Sequence, residues 1–455
     1  MALRVPELEF SLGIEVYASK TEGIGGRIRC SPEEFVVEEI LVDGSKASVC
    51  LDNIKALTSG HGRYLVCVMI KKGWDTFSAI RQVAAQLGVQ PERIRIAGIK
   101  DAHALTAQHI SIGSMPPQKV LGFKLEGLRI IPVRFMSEKL SSRLIYGNKF
   151  NIVVRDIECS LEIAQSRIQE TKSELNNLGG VPNFFGHQRF GTVRPVTHEV
   201  GRLLVKQDFE GAAAVFLSKP SPHEHPKARR ARRRLQETGD YERCLAILPR
   251  MFVYERAMLR YLSKRSSDYL GAFRRLPRHL RRFFVQAYQS YLFNKFLSER
   301  MKQGIPLRKA QTGDYVVELD EKGLPTERFE RAEANNVLEI NKKIASGRMT
   351  VALPLIGFKQ RPSSGLQGEI EKAILEQEEV NPSDFQLEKM PEASAAGGLR
   401  TALTPVLNLD VEPGDPCANH ECSSVRFRFM LHKGSYATVV LREFMKPKDL
   451  IASGF

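Results

Sequence analysis

The sequence predicts an α/β chain, more narrowly α+β, in which a mixed sheet domain is interrupted by a largely helical insertion. Three observations predict it. The order strand, helix, strand, strand between Arg63 and Ile112 calls for a mixed sheet. From about residue 191 the alternation gives way to helical periodicity and two arginine-rich segments. Beyond residue 399 alternation returns, which assigns the last strands to the first domain. The expected divisions are therefore 1–190 and 399–455 for the sheet domain and 191–398 for the insertion.

Taken in order, Gly25-Gly26-Arg27-Ile28-Arg29 reads as a turn entering a strand, which Pro32 interrupts before a second short strand begins at Phe35. Tyr64 to Ile70 is an almost continuous apolar run and predicts a strand. Asp75 to Leu87 predicts a helix, with Phe77, Ile80, Ala84 and Leu87 on its apolar face and Gly88 as its stop. Arg93-Ile94-Arg95-Ile96 alternates up to Gly98, and a second alternating run follows with Thr106, His109-Ile110 and Ser111-Ile112. Tyr146 to Ile157 adds a strand, and Leu161 to Leu178 an amphipathic helix ended by Gly179-Gly180 and Val181-Pro182. Within the insertion, Arg278 to Arg300 gives the clearest helix, with Phe284, Ala287, Tyr288, Tyr291, Leu292 and Phe296 on its buried face. Tyr315 to Leu319 reads as a strand, and Glu369 to Gly398 as an acidic helical stretch followed by a small, flexible segment from Ala393. Finally Val425, Phe427 and Phe429 alternate with Arg426, Arg428 and Met430, Leu431 to Ser435 turns, and Tyr436 to Arg442 reads as a last strand.

Composition narrows the partner. At 455 residues, 42% hydrophobic and 26% charged, the chain matches ordinary globular proteins of two or three domains. Its formal charge of +15 and pI near 9.5 favour a polyanion, either nucleic acid or an anionic membrane surface. The membrane is the weaker choice, because no apolar run approaches the roughly 20 residues that span a bilayer. Met1 to Phe10 lacks the apolar core of a signal peptide, and the seven cysteines are mostly far apart, so a cytoplasmic protein with reduced thiols is expected. Cys417, His420 and Cys422 cluster without a second ligand pair, and no metal is expected.

The chemistry centres on Asp101 in Ala97-Gly98-Ile99-Lys100-Asp101, where one predicted strand stops before the next begins. A loop carried by rigid strands is where functional groups tend to stand. Taken alone, an Asp close to a Gly is most simply a turn residue bonding its own backbone. Asn183-Phe184-Phe185-Gly186-His187-Gln188-Arg189-Phe190-Gly191 combines aromatic rings with amides and a cation, which suits either a base-binding pocket or a packed aromatic corner. Arg229, Arg230, Arg232 and Arg233, with the second basic segment from Arg274 to Arg282, are candidate phosphate contacts, the alternative being a solvated face.

Four segments carry a resemblance: Arg29 to Phe35, Ala97 to Gln108, Asn183 to Gly191, and Phe429 to Glu443 with its Gly434-Ser435-Tyr436-Ala437-Thr438 core. In that order, across nearly the whole chain, the sequence resembles the TruD family of tRNA pseudouridine synthases. Phe184 stands where Tyr is common in the family; Arg29 replaces a Lys of many bacterial members and Glu34 an Asp, both keeping the charge. The resemblance implies a pseudouridine-synthase-type catalytic domain, with a curved, mostly antiparallel mixed sheet and a central cleft, interrupted by a helical TRUD domain. It implies an isomerase acting on uridine 13 in the D-arm of tRNA without metal or organic cofactor. It matches Asp101 to the family's essential aspartate and Phe35, Asn183 and Phe429 to substrate contacts. The expected molecule is a cytoplasmic monomer whose partner is tRNA.

The reaction breaks N1–C1′, turns the base and forms C5–C1′. An ionised carboxylate can attack C1′ or the base, or take the C2′ proton, without a redox step. Aspartates titrate near about 3.9 and are anionic at neutral pH; a neighbouring cation keeps them so in a drier cleft. Arg29 and Arg442 are the first candidates for that cation, Lys100 the third. The target base must leave its stack, and Phe35, Phe185 and Phe429 are the candidates to receive it, with Asn183 facing the uracil edge. The alternative function is a basic RNA-binding or RNA-chaperone protein without chemistry. A glycosidase would need a second carboxylate in a comparable setting, and the sequence offers none.

Overall fold

Alternating or continuous apolar runs build β1 (Phe35–Leu41), β2 (Tyr64–Lys72), β3 (Ile94–Ile96), β4 (Leu105–Gly113), β5 (Leu128–Met136) and β6 (Ile145–Val154) in the computed structural model, which describes residues 4–414 and 423–455. Later come β7 (Val181–Pro182), β8 (Tyr315–Leu319), β9 (Pro325–Arg331), β10 (Met349–Leu355), β11 (Gly398–Thr401), β12 (Leu403–Thr404), β13 (Leu407–Pro413) and β14 (Val425–His432). One curled sheet has the order β13-β14-β6-β1-β4-β2-β5, with β3 added on β4; a second, of four strands, has the order β11-β10-β8-β9. The C-terminal strands thus lie in the same sheet as the N-terminal ones. All pairs in the large sheet are antiparallel except β1 with β4, where Val36 faces Leu105. That parallel pair delivers the starts of both strands, and the loops before them, to the same end of the sheet.

The helices follow their local signals. Asp75 caps the Thr76–Leu87 helix by accepting the Ser78 N–H at 2.9 Å, and Gly88, at φ 66, ends it in the left-handed conformation. Ser160 and Gly179 do the same for the Leu161–Leu178 helix. Between β7 and β8 the chain is helical, and its long Arg278–Lys302 helix buries Phe284, Ala287, Tyr288, Leu292 and Phe296. One apolar core runs from Phe35, Phe150 and Phe429 of the large sheet through Phe184 into this helix.

Three local readings are corrected. Tyr436 to Arg442 is not a strand: Ala437–Met445 is a helix with all nine residues buried. Val439 and Val440 favour β structure, but β14 is already paired on both edges, by β13 and β6, so a segment that cannot pair back onto it satisfies its backbone groups as a buried helix. Gly25 to Arg29 forms one bridge only, Arg27 with Arg155, since Gly25, Gly26 and Arg29 all have positive φ and cannot stay in a ladder. The small residues after Ala393 pack rather than dangle: Ala393 and Ala395 are buried, and the Ala395 carbonyl accepts the Phe358 N–H at 3.1 Å.

The N-terminal segment, the Asn183–Gly191 motif and the last helix are tied by buried charges. Arg442 donates from Nε to Glu9 Oε1 and from Nη2 to Glu9 Oε2, both at 2.8 Å, and from Nη1 to Glu443 Oε1 at 2.6 Å. His187 Nε2 lies 3.1 Å from Glu9 Oε1. Burial opposes ionisation of Glu9, but Arg442 and His187 outweigh it and hold its carboxyl at about 2 against an ordinary 4.5. Glu9→Gln therefore leaves a buried guanidinium half paired and is expected to cost about 3 kcal/mol in urea unfolding. Because the folded-state pKa is depressed, this stabilisation is complete above pH 4.5 and is lost as pH falls from there towards 2, an acid limb that Glu9→Gln should flatten.

Candidate active site

The loop between β3 and β4 carries Asp101 into a cleft of about 540 Å³. The parallel register of β1 and β4 brings Phe35, at the start of β1, to the same place, and the left-handed backbone of Arg29 (φ 60) turns its side chain onto the Phe35 ring, 4.1 Å from the centroid. Arg29 donates from Nη1 to the Gly454 carbonyl at 2.6 Å, and its Nη2 stands 3.6 Å from Asp101 Oδ1. Burial lowers the Arg29 pKa while Asp101 raises it, which leaves the guanidinium charged at neutral pH. The Asp101 side chain is 38% exposed, against 12% for Arg29. No described residue donates a hydrogen bond to the Asp101 carboxylate, so it is not the backbone cap that an isolated Asp would be.

The opposite wall is the turn from β14 into the Ala437–Met445 helix, with Lys433, Ser435, Tyr436 and Thr438, together with Gln188. Phe150 of β6 forms part of the floor, and Phe77 at the start of the Thr76–Leu87 helix is 47% exposed at the cleft. Spacing puts Phe77 on the buried face with Ile80 and Ala84; those two are buried, with Ala79 and Val83, but Phe77 is not. Asp101 stands on a divide. Arg29, Asp101, Ala102 and Gln188 also line a second chamber of about 760 Å³ that reaches Arg194 and Phe252 of the helical region. Lys433 and Ser435 connect the cleft to a third, of about 660 Å³, between the two sheets.

The other expected site residues separate. Asn183 lies in the third cavity, not at Asp101: its Nδ2 donates to Thr401 Oγ1 at 2.8 Å, and its Oδ1 accepts from Arg400 Nη2 at 2.6 Å. Phe185 is a packed corner, edge-on to Phe293 and Tyr436, with the Arg400 guanidinium 4.0 Å above its ring. Phe429 is 1% exposed and stacks behind Phe150 at 5.3 Å, one strand further from the cleft. Arg442 is not the partner of Asp101, being fully buried with Glu9 and Glu443. Lys100 likewise turns away, its Nζ 2.8 Å from the buried Glu39. Arg29 alone of the candidate cations reaches Asp101.

Arg400, Tyr436, Gln188 and Phe77 were not singled out as site residues. Gln188 and Tyr436 lay inside the matched motifs, so the motif was the signal; Arg400, whose pKa burial lowers to about 10, had none. Among the described residues no group of three or more His, Cys, Asp or Glu is placed to hold a metal, and Cys417, His420 and Cys422 lie outside them. No helix among the described residues is long and apolar enough to cross a membrane.

The arginine run also divides. On the Pro226–Thr238 helix Arg230 and Arg233 are exposed, and Arg229, half-buried, donates to the Pro222 carbonyl at 2.9 Å. Arg232 is 1% exposed and is no phosphate contact: it pairs with Glu224 at 2.9 Å and Glu255 at 3.0 Å and donates to the Phe216 and Leu217 carbonyls.

An open carboxylate beside an arginine, in a cleft across a curled antiparallel sheet that a helical region interrupts, is the arrangement that the resemblance to pseudouridine synthases calls for. The family described as tRNA pseudouridine synthase D (TruD) matches residues 11–444, and the chain belongs to that family, whose activity is an isomerisation. A Methanosarcina acetivorans protein named probable tRNA pseudouridine synthase D is 39% identical over 98% of this chain and 99% of its own. A Thermococcus onnurineus protein of that name is 37% identical over 94% and 97%. The crystal structure of a Methanosarcina mazei TruD relative, 38% identical, superposes with a TM-score of 0.79 over 98% of this chain and 99% of that one.

The split among the arginines is testable by stability alone. Arg232→Gln removes the guanidinium that bridges two buried carboxylates and should cost about 3 kcal/mol in urea unfolding, whereas Arg230→Gln with Arg233→Gln should stay within about 0.5 kcal/mol of wild type.

Proposed function

We propose that this protein isomerises uridine to pseudouridine in tRNA, with Asp101 as the reacting carboxylate. The observation that carries the reading is the Asp101–Arg29 pair: a partly exposed carboxylate with no hydrogen-bond donor among the described residues, 3.6 Å from a guanidinium that is itself fixed by Phe35 and the Gly454 carbonyl. An anion so placed has a free lone pair facing the cleft, and the arginine offsets the cost of keeping it charged when RNA displaces water. Phe150 and Tyr436 offer ring faces to a base that has left its stack. The chambers on either side of Asp101 leave room for the strand to continue in both directions, and the exposed Arg230 and Arg233 supply phosphate contacts beyond them. In this reading 1–190 and 399–455 form the catalytic domain and 191–398 the RNA-gripping insertion. The position modified is uridine 13 of the D-arm, as the family resemblance implies.

The test uses unmodified tRNA with tritium at uracil C5. Wild type should release tritium and Asp101→Asn should release at least about 10³-fold less, with unchanged RNA affinity. Undiminished release by Asp101→Asn ends the assignment, and tRNA binding without any release by wild type favours a binding protein. Mapping the product should place one pseudouridine at position 13. In a separate measurement, Arg230→Gln with Arg233→Gln should weaken tRNA binding and reduce the slope of log affinity against log salt by about 1 to 2; an unchanged slope would make them an ordinary solvated face.

A further inference from the structure

The Asp101 loop is held from below in an unusual way. Outside the strand ladders, no backbone hydrogen bond among the described residues reaches Ala97 to His103. Side chains hold it instead. Gln108 Nε2 donates to the Gly98 carbonyl at 3.0 Å, and the Thr76 hydroxyl donates to the Lys100 carbonyl at 3.1 Å while accepting the Lys100 N–H at 3.2 Å. The third support is Lys71, near the end of β2, whose side chain is completely buried. Its ammonium donates to the carbonyls of Trp74 at 2.8 Å, Lys100 at 3.3 Å and Asp101 itself. No described carboxylate lies within ion-pairing distance of it. A charge kept in the interior with carbonyl partners alone has a large desolvation cost, and the groups it organises are the backbone on either side of the reacting residue.

We propose that Lys71 is a positioning residue: by gathering the Lys100 and Asp101 carbonyls it fixes where the Asp101 carboxylate stands relative to Arg29. The proposal rests on Asp101 being the reacting group. It has a consequence in pH. The charged groups facing Lys71 are Asp101 and Lys100 from the loop and Asp75 from the start of the Thr76–Leu87 helix; on the strands beside it, Thr106 of β4 and Leu128 of β5 carry no charge. Burial, the largest influence, lowers its pKa from 10.5 to about 8, with the two carboxylates opposing. Above about pH 8 the amine becomes neutral and its hold on the carbonyls weakens, so the chemical step slows. Stability moves the other way. Between pH 8 and 10.5 the unfolded chain binds the proton that the folded one has released, so Lys71 makes folding more favourable as pH rises through that window. A slower rate there is not a loss of fold.

The experiment is single-turnover tritium release from unmodified tRNA between pH 6.5 and 9.5, with tRNA affinity and melting followed alongside, for wild type, Lys71→Met, Thr76→Val and Asp101→Asn. A misplacement of about 1 Å costs on the order of 100-fold, so Lys71→Met should lose about that in rate, with affinity within about twofold, and its residual activity should lack the alkaline limb. Thr76→Val, which removes the other anchor of Lys100, should slow the step about tenfold, also at constant affinity. A Lys71→Met protein with wild-type rate, or one that keeps the alkaline limb, overturns the proposal. If Lys71→Met does not fold, a flat wild-type profile through pH 9.5 or a wild-type rate in Thr76→Val overturns it equally. Activity in Asp101→Asn would sink the reading of Asp101, whereas an inactive Asp101→Asn beside a fully active Lys71→Met would sink the positioning role alone.

Discussion

The single parallel pairing in the large sheet, β1 against β4, is the constraint on which the candidate site depends. Had those strands run antiparallel like their neighbours, Phe35 and Asp101 would emerge at opposite ends of the sheet. Parallel, with Val36 opposite Leu105, they put Arg29, Phe35 and the Asp101 loop side by side. A parallel pair cannot be closed by a hairpin and needs a crossover. Here the connection passes through β2, the Thr76–Leu87 helix and β3, and both β2 and that helix contribute side chains, Lys71 and Thr76, that brace the loop. The connection that topology requires thus also braces the loop that carries Asp101.

Much of the positive charge is used inside the protein. Arg232, Arg300 and Arg442 are among the largest fully buried side chains, each matched to carboxylates. Arg300 grips Asp314 with two nitrogens, both at 2.7 Å. Such forks suit guanidinium geometry, and the one at Arg442 joins segments at opposite ends of the sequence. A net charge of +15 still makes polyanion binding favourable, but an arginine-rich stretch is no map of the binding face, since one residue of the run can be solvated and the next be the centre of a core.

Several features were legible in the sequence because they depend on local patterning. The 161–178 helix with its Gly end, the strand at 315–319 and the return of the C-terminal strands to the first sheet follow from periodicity and stop signals. So does the place of Asp101 on a loop between two strands. What was not legible depends on neighbours. Whether Arg29 or Arg442 faces Asp101 is decided by a left-handed residue and by Glu9, which lies far away in sequence. Phe429 shares a row with Phe150 across paired strands, and only the curl of the sheet determines which ring faces the cleft. The 437–445 segment has strand-like residues, but β14, the strand it would fold back on, is paired on both sides, and its environment overrode its propensity.

The Glu9–Arg442–Glu443 cluster joins positions 433 residues apart. During synthesis the segment around Glu9 leaves the ribosome long before its guanidinium partner exists, and β6 waits similarly for β14. The helical region between them has its own second sheet and long-range ion pairs, so it has the means to consolidate first. The large sheet, and with it the far wall of the Asp101 cleft, is completed only after β14 and the Ala437–Met445 helix emerge. A nascent chain therefore presents Asp101 long before the wall that faces it across the cleft has been made.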